Sequence, residues 1–343
     1  MSIAIITEEK MNNNTILVLS NSQDGEHTDS VVQHLRNSGH PFFRLDVDRV
    51  AHGETKVVAT SDSDSGTLFI FKDEMGRTCH SVDVGAVWYR RPFFYNSPIK
   101  DSVQKAHAEK EMDNLFEGLW RTLTEAFWLN SPASLEQTRK KMFQLHLVRS
   151  VGLNAPKTMV TNDPDEAMEF ISSCKHGAVF KNIHTGYLDY GDESFVVPTT
   201  LVTKALIDKI GLIKYLPCLF QERIVKAYEL RVTIVAGHVF PVFINSQKFQ
   251  ETACDWRHPD LIDKLDYREV ELPPKIQQGL LQLMDCLGIS FGAFDLAVDP
   301  EGQYWFFEVN GNGQWYWLEH ETGLLISKAI SDTLVAHALI KRG

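Results

Sequence analysis

Two rhythms of apolar and polar positions run along this chain, and each change of rhythm marks an element. The run "TILVLS" (15–20) is short, unbroken and apolar, as expected of a strand buried on both faces. "HTDSVVQHLRNSGH" then spaces its apolar residues at helical intervals and stops at Gly39, and "PFFRLDVD" returns to a strand pattern. Strand, helix, strand in this order opens a parallel α/β unit. A polar, hairpin-like stretch (52–80) leads to "VGAVWYRRP", another buried strand, which ends in Arg90 and Arg91. In open α/β sheets ligands gather at the carboxyl ends of strands, so this pair either meets an anion or forms a solvated basic corner. A long helix (101–127) and the short strand "FWLN" close a first domain near residue 131.

The second part begins with "SLEQTRKKMFQLHLVRSVG", whose pattern predicts one helix. Ser134 and Gln137 make a capping box, Leu135, Met142, Leu145 and Val148 a stripe, and Gly152 the stop. Lys141 lies beside the stripe, so its long stem either snorkels or carries the ammonium to a ligand. "HGAVFKNIHTGYLDYGDE" gives a short strand ending at Lys181 and then a loop, either mobile surface or a lid. Three strands follow in "CLFQERI" (218–224), "ELRVTIVAG" (229–237) and "HVFPVFINSQ" (238–247). Glu229, Arg231 and Thr233 share one face of the second, where a half-buried sheet would place apolar groups. A surface ion pair is the plain explanation of the first two. A helix (273–287), a hairpin and a C-terminal helix complete the chain.

That hairpin, "FGAFDLAVDPEGQYWFFEVN", holds two apolar runs around Asp-Pro-Glu-Gly, a strong turn signal. Strict alternation puts Tyr304, Phe306, Glu308 and Asn310 on one face. Pairing Asp299 with Gly302 sets Asp295 opposite Phe306 and diagonal to Glu308, about 7–8 Å away. Asp295, Glu308 and Asn310 then form a cluster of hard oxygen donors, suited to Mg²⁺ or Mn²⁺ and not to zinc. Two buried carboxylates without a cation would repel one another. The alternative is a strand that simply ends near solvent at Glu308.

Composition narrows the classes. The 343 residues are 43% hydrophobic, enough for two or three domains with ordinary cores. A net charge of -11 argues against a nucleic-acid partner. The five cysteines, scattered without C-x-x-C spacing, suggest neither a disulfide framework nor zinc. No apolar run approaches the ~18 residues of a membrane span, and no signal peptide opens the sequence, so a cytoplasmic protein without a membrane partner is expected. Met11 offers a second start.

Two lysines on separate elements, Gln221-Glu222, then Glu229 and Arg231, and a closing Asp295, Glu308 and Asn310 occur in an order that resembles the ATP-grasp superfamily. The resemblance covers roughly residues 134–320 and is carried best by Lys141 with "GLNAP" and by "FFEVNGN". Within the superfamily the chain looks most like the graspetide (microviridin-type) peptide ligases, near the ribosomal-protein glutamate ligase branch; "WYRRP" and "DWR" (Asp255, Trp256, Arg257) suggest that placement more weakly. The resemblance implies an α/β (α+β) ATP-grasp fold with an N-terminal Rossmann-like, pre-ATP-grasp domain. The expected division is 1–131, a central subdomain 132–220, and a C-terminal subdomain 221–343 with the metal site.

By the same resemblance, Lys141 and Lys181 would contact the phosphates of ATP, and Gln221, Glu222 and Ile224 would hold adenine. Glu229 would bind ribose, Arg231 would stabilise the transferring phosphoryl group, and Asp295, Glu308 and Asn310 would hold Mg²⁺. Arg90, Arg91, Asp255, Trp256 and Arg257 are candidates for the peptide, with Trp256 as apolar anchor. The loop after Lys181 is poorer in glycine than many ATP-grasp phosphate loops. The implied activity is ATP-dependent closure of side-chain esters or amides in a ribosomal precursor peptide, a leader plus an acidic core, with a homodimer left open. A glutamate-adding or small-molecule carboxylate-amine ligase is the alternative. A nucleotide-binding regulator without turnover is a third reading, disfavoured by the complete donor cluster.

Overall fold

The computed structural model describes residues 14–64, 66–92, 95, 97–184, 186–189 and 194–340. Met11 lies outside the described residues. The chain divides into two compact units, Met1–Pro132 with Leu325–Gly343, and Ala133–Leu324. Among the described residues no helix is long and apolar enough to cross a membrane.

In the first unit the chain runs β1 (Thr15–Ser20), α1 (Glu26–Ser38), β2 (Phe42–Asp46), α2 (Val47–Ala51), β3 (Lys56–Asp62), β4 (Gly66–Lys72), β5 (Thr78–His80), β6 (Val84–Tyr89), α3 (Ser102–Thr122) and β7 (Phe127–Leu129). Strands β1, β2, β6 and β7 form a parallel sheet in the order β2-β1-β6-β7, as the alternation of strand and helix implies. The stretch 52–80 is a separate antiparallel meander, β3-β4-β5, whose Phe69 and Phe71 pack on Trp120 of α3.

The second unit holds α4 (Pro132–Thr138), α5 (Lys141–Ser150), β8 (Thr158–Thr161), α6 (Pro164–Ser173), β9 (Ala178–Lys181), β10 (Tyr187–Asp189), β11 (Ser194–Val196), β12 (Thr200–Leu201), α7 (Lys204–Ile207), β13 (Cys218–Glu222), β14 (Tyr228–Val235), β15 (His238–Ile244), β16 (Tyr267–Glu269), α8 (Pro274–Leu287), β17 (Phe291–Val298), β18 (Tyr304–Asn310) and α9 (Tyr316–Thr322). Of the loop expected after Lys181, residues 185 and 190–193 lie outside the described residues, and β10 pairs with β11. The last helix, α10 (Ile326–Ala338), was expected in the C-terminal subdomain; it packs in the first unit on α1 and β6, with Ile330 and Leu334 fully buried. An amphipathic pattern announces a face to bury but not its partner. The expected boundary at 220/221 falls inside β13, which pairs with β8 and β9.

The helix expected across 134–151 is broken. Arg139 and Lys140 separate α4 from α5, and Lys140 takes φ -93 and ψ 87, outside the helical region. Lys141 therefore begins a helix instead of lying in the middle of one, and Met142 of the proposed stripe is exposed.

The five-stranded antiparallel sheet, in the order β16-β15-β14-β17-β18, has two unlike faces. Leu230, Val232, Ile234, Phe294, Leu296, Phe306 and Val309 pack against Leu280, Leu283, Met284 and Leu287 of α8. The register of β17 on β18 corrects the expected one. Leu296 pairs with Phe306 but Asp295 pairs with Glu308, so Phe307 is an extra residue bulged out of the ladder. One inserted residue reverses the alternation beyond it. Phe306 thus joins the core face with Val309, while Glu308 and Asn310 turn to the opposite face, where Asp295 lies directly across from Glu308.

This assignment of faces has a measurable consequence. Phe306→Ala should cost about 3–5 kcal/mol in urea unfolding, the usual price of emptying a large core site. Thr233, fully buried on the opposite face, has a hydroxyl without a partner among the described residues. Thr233→Val should be neutral or stabilise by about 1 kcal/mol, because it removes an unpaired polar group. A Phe306→Ala cost below about 1 kcal/mol would contradict the bulge.

Candidate active site

The face of the sheet turned away from α8 is polar yet shielded from water. Arg231 of β14 stands across the ladder from Asp295 of β17, and its Nη1 donates to Asp295 Oδ1 at 2.8 Å. Its Nη2 donates to the Gln314 carbonyl at 3.2 Å, while its Nε has no partner among the described residues. The turn after β18 can approach this closely only because residue 313 is glycine. A Cβ there would lie 2.5 Å from the Ala293 Cβ and 2.8 Å from Arg231 Nη2. The alternative of a surface ion pair between Glu229 and Arg231 does not hold, since both are buried and each has another partner. Glu229 instead accepts from Lys226 Nζ at 2.7 Å, and that ammonium also donates to the Cys254 carbonyl at 3.0 Å. Burial raises the Glu229 carboxyl above its usual range even with Lys226 beside it.

Glu308 is the meeting point of the cations. Lys141 Nζ lies 3.4 Å from its Oε2 and Arg257 Nη1 lies 3.7 Å from its Oε1. Lys141 also donates to the Asn182 carbonyl at 2.9 Å, so its ammonium does not snorkel to open solvent. Lys181, at the end of β9, sits over the ring of the bulged Phe307, 4.7 Å from its centroid. Burial lowers the Lys181 ammonium from its usual range, against the pull of Glu308. Burial alone would raise the Glu308 carboxyl, but Lys141, Arg257 and Lys181 outweigh it and hold it below the usual carboxylate range.

Asp295 and Glu308 thus supply adjacent carboxylates, a donor set that fits a hard divalent cation. Among the described residues no three His, Cys, Asp or Glu side chains converge, so a third protein ligand would have to be of another type. Asn310 shares the face but is exposed, and its Oδ1 accepts from the Asn312 backbone N–H at 2.9 Å, an Asx turn.

Lys181, Gln221, Glu222, Ile224, Glu229, Asp255, Trp256, Arg257, Asp295 and Glu308 all line one cleft. On its β13 side, Gln221 donates to Thr158 Oγ1 at 2.9 Å. The Glu222 and Arg223 N–H groups are committed to the Lys157 and Gly177 carbonyls, at 2.8 and 2.9 Å.

The residues expected to hold peptide fare differently. Arg257 grips Asp255 through Nε and Nη2, at 2.9 and 3.1 Å, and points its remaining arm at Glu308, so it belongs to the charge cluster. Trp256 is only 6% exposed, lines the cleft, and packs on Trp317 with Ile244 and Leu265. In the first unit Arg90 is 0% exposed and its Nε donates to Asp24 at 2.9 Å. Burial lowers its guanidinium to about 10, against the pull of Asp24. Arg90 is therefore not a solvated corner. Arg91 is half-buried with φ 47, and its carbonyl accepts from Asn21 Nδ2 at 2.7 Å. Sequence reasoning missed Lys226 and Phe307. Lys226 lies three residues before Glu229, a spacing with no meaning outside a helix, and Phe307 looked like ordinary strand filling.

Residues 15–136 match the family model described as the MvdD pre-ATP grasp domain. The structure resembles that of macrocyclase MdnC of Microcystis aeruginosa MRC, solved with precursor peptide MdnA, with TM-score 0.82, 32% identity, and coverage of 94% of this chain and 99% of that one. It resembles an ATP-grasp ligase associated with ribosomal peptides from Chryseobacterium gregarium, solved with ADP and a leader and core peptide, with TM-score 0.86, 30% identity and coverage of 94% and 97%. Macrocyclase MdnB of Microcystis aeruginosa MRC is similar at TM-score 0.77 and 29% identity, covering 94% and 99%. No curated protein matches the sequence.

The cations around Glu308 set a pH dependence. A carboxyl held below its ordinary value of 4.5 contributes stability that is present above that value and lost as pH falls through the depressed one. In urea unfolding, the stability gap between wild type and Glu308→Gln should be constant near neutrality and narrow as pH falls below 4.5. A gap that does not change with pH would contradict the charge arrangement.

Proposed function

The chain belongs to the ATP-grasp ligases that mature ribosomally made peptides, the graspetide maturases, and on that premise we propose that it activates Asp or Glu side chains of a precursor peptide and closes them into macrocycles. The observation that carries this reading is the shielded face on which Asp295 and Glu308 stand side by side among Arg231, Lys141 and Lys181. Such a face suits phosphoryl transfer, which needs positioning and charge neutralisation more than an enzyme nucleophile.

In this reading Lys141 and Lys181 neutralise the phosphates of ATP, and Glu229 accepts the ribose hydroxyls, giving up part of its hold on Lys226. Gln221, Glu222 and Ile224 border the adenine. Since the Glu222 and Arg223 N–H groups are already committed, the backbone N–H contact to the base falls to Ile224. A Mg²⁺ ion, or Mn²⁺, held by Asp295, Glu308 and Asn310 would neutralise phosphate oxygens when bound. Arg231 follows the transferred phosphoryl group with its planar fork, exchanging its contacts to Asp295 and the Gln314 carbonyl for phosphate oxygens.

The chemistry balances as a loss of water in two steps. A carboxylate oxygen of the peptide takes the γ-phosphoryl group, leaving ADP and an acyl phosphate. A Thr or Ser hydroxyl, or a Lys amine, of the same peptide then attacks the acyl carbon, phosphate leaves with the C–O bond pair, and the nucleophile's proton passes to solvent. Arg91 is retained for a peptide carboxylate, and Arg257 is assigned to the chemistry through Glu308. A precursor peptide with leader and core as substrate is supported by the precursor, leader and core peptides bound to two of the relatives described above, and an acidic core is part of the proposal.

The experiment is co-expression with a precursor peptide and mass spectrometry for the loss of one water per ring, with ATP turnover followed in parallel. Glu308→Gln should fold and lose about 10² or more in turnover. Near-normal turnover in the folded variant would overturn the metal assignment, and amino-acid addition without ring closure would favour a glutamate-adding ligase. Arg231→Ala should depress turnover far more than nucleotide affinity, and Arg231→Lys should rescue it poorly because Lys lacks the fork. A loss of affinity at unchanged turnover would make Arg231 a ground-state binding residue.

A further inference from the structure

Strand β18 is the outer strand of its sheet, so part of its backbone faces away from β17 and needs other partners. At Val309 both outward groups are taken by one side chain. The Val309 N–H donates to Gln144 Oε1 at 2.8 Å, and Gln144 Nε2 donates to the Val309 carbonyl at 2.9 Å. The same Nε2 donates its second hydrogen to the carbonyl of Thr138. Gln144 is 2% exposed, and only one orientation of its amide matches donor to acceptor at all three contacts.

The places that this amide joins are not arbitrary. Val309 is the residue between Glu308 and Asn310. Thr138 is the last residue of α4, and Gln144 lies one helical turn beyond Lys141, whose ammonium reaches Glu308 at 3.4 Å. The clamp falls two residues after Phe307, where the bulge interrupts the ladder and leaves the strand with less to fix it. Mg²⁺ tolerates little departure from octahedral geometry, and ligands left about 0.5–1 Å out of place would lose much of it.

We infer that Gln144 is a positioning residue for the divalent cation. By clamping Val309 it fixes the backbone between Glu308 and Asn310 and sets it against the start of α5, where Lys141 stands; this rests on the metal assignment proposed above. A side chain that only stabilised the fold would leave metal affinity alone in the folded protein. A positioning residue changes the metal's affinity and spares the nucleotide's.

The test is titration of the full chain with Mn²⁺ at saturating ADP, read by electron paramagnetic resonance and normalised to the folded fraction from circular dichroism. Gln144→Met, which keeps the length and removes the amide, should weaken Mn²⁺ about 10–100-fold while ADP affinity in chelator stays within about twofold. Gln144→Glu, which turns the donor toward two carbonyls into an acceptor, should lose at least as much. Mn²⁺ affinity within about twofold of wild type in folded Gln144→Met overturns the inference but leaves the metal assignment standing. Wild type that binds no Mn²⁺ with ADP overturns both. If neither variant folds, hydrogen exchange on wild type decides. Segments 141–150 and 306–310 should gain protection together with Mn²⁺ and ADP but not with ADP alone, and no such difference overturns the inference.

Discussion

Four of the carboxylates that line the cleft stand against cations, and the site depends on how their charge is matched. Glu229 has Lys226, Asp295 has Arg231, Asp255 has Arg257, and Glu308 has Lys141 with Arg257 slightly farther off. Removing one partner from a buried pair typically costs about 3–5 kcal/mol, because the other charge is left bare. Lys181 adds a further cation within the pull of Glu308. In the proposed reading, ligand entry is an exchange of partners: phosphates take the cations as the metal takes the carboxylates, so no charge is stranded along the way.

The sheet makes this arrangement possible by keeping its two faces chemically apart. Leucine, isoleucine and phenylalanine side chains on one face are sealed by α8, and that burial holds β14, β17 and β18 in register. A rigid register is what places Arg231 across from Asp295 and Asp295 across from Glu308. The bulge at Phe307 serves both faces. It keeps Phe306 in the core, returns Glu308 to the polar side, and leaves the Phe307 ring under Lys181, where a π face can hold an ammonium that has few other partners.

Much of this was legible in the sequence. Apolar runs and turn residues located the parallel sheet of the first unit, α1 with its stop at Gly39, the hairpin β14-β15, helix α8 and the hairpin β17-β18. The odd placement of Glu229, Arg231, Asp295 and Glu308 on strands marked the site, since charged groups at positions that should be apolar must be matched somewhere. The ATP-grasp resemblance rests on residues 134–320 and the graspetide placement on "WYRRP" and "DWR", whereas the family model matches 15–136. Helical pattern on both sides of Arg139 and Lys140 concealed the break there, because the departure of Lys140 from helical angles is fixed by what α4 and α5 pack against and not by its own propensity.

The amino-acid sequence by itself determined most of the element types and pointed to most residues of the candidate site, because periodicity and side-chain chemistry are local properties. The tertiary structure alone decided which charges pair, that Arg90 and Trp256 are buried, that α10 packs in the first unit, and that Gln144 reaches Val309 across 165 residues of chain. The register of β18 belongs with these. A bulge changes alternation by a single residue, and whether Phe306 or Phe307 enters the core depends on the space left by α8 and β17, which no window of sequence contains.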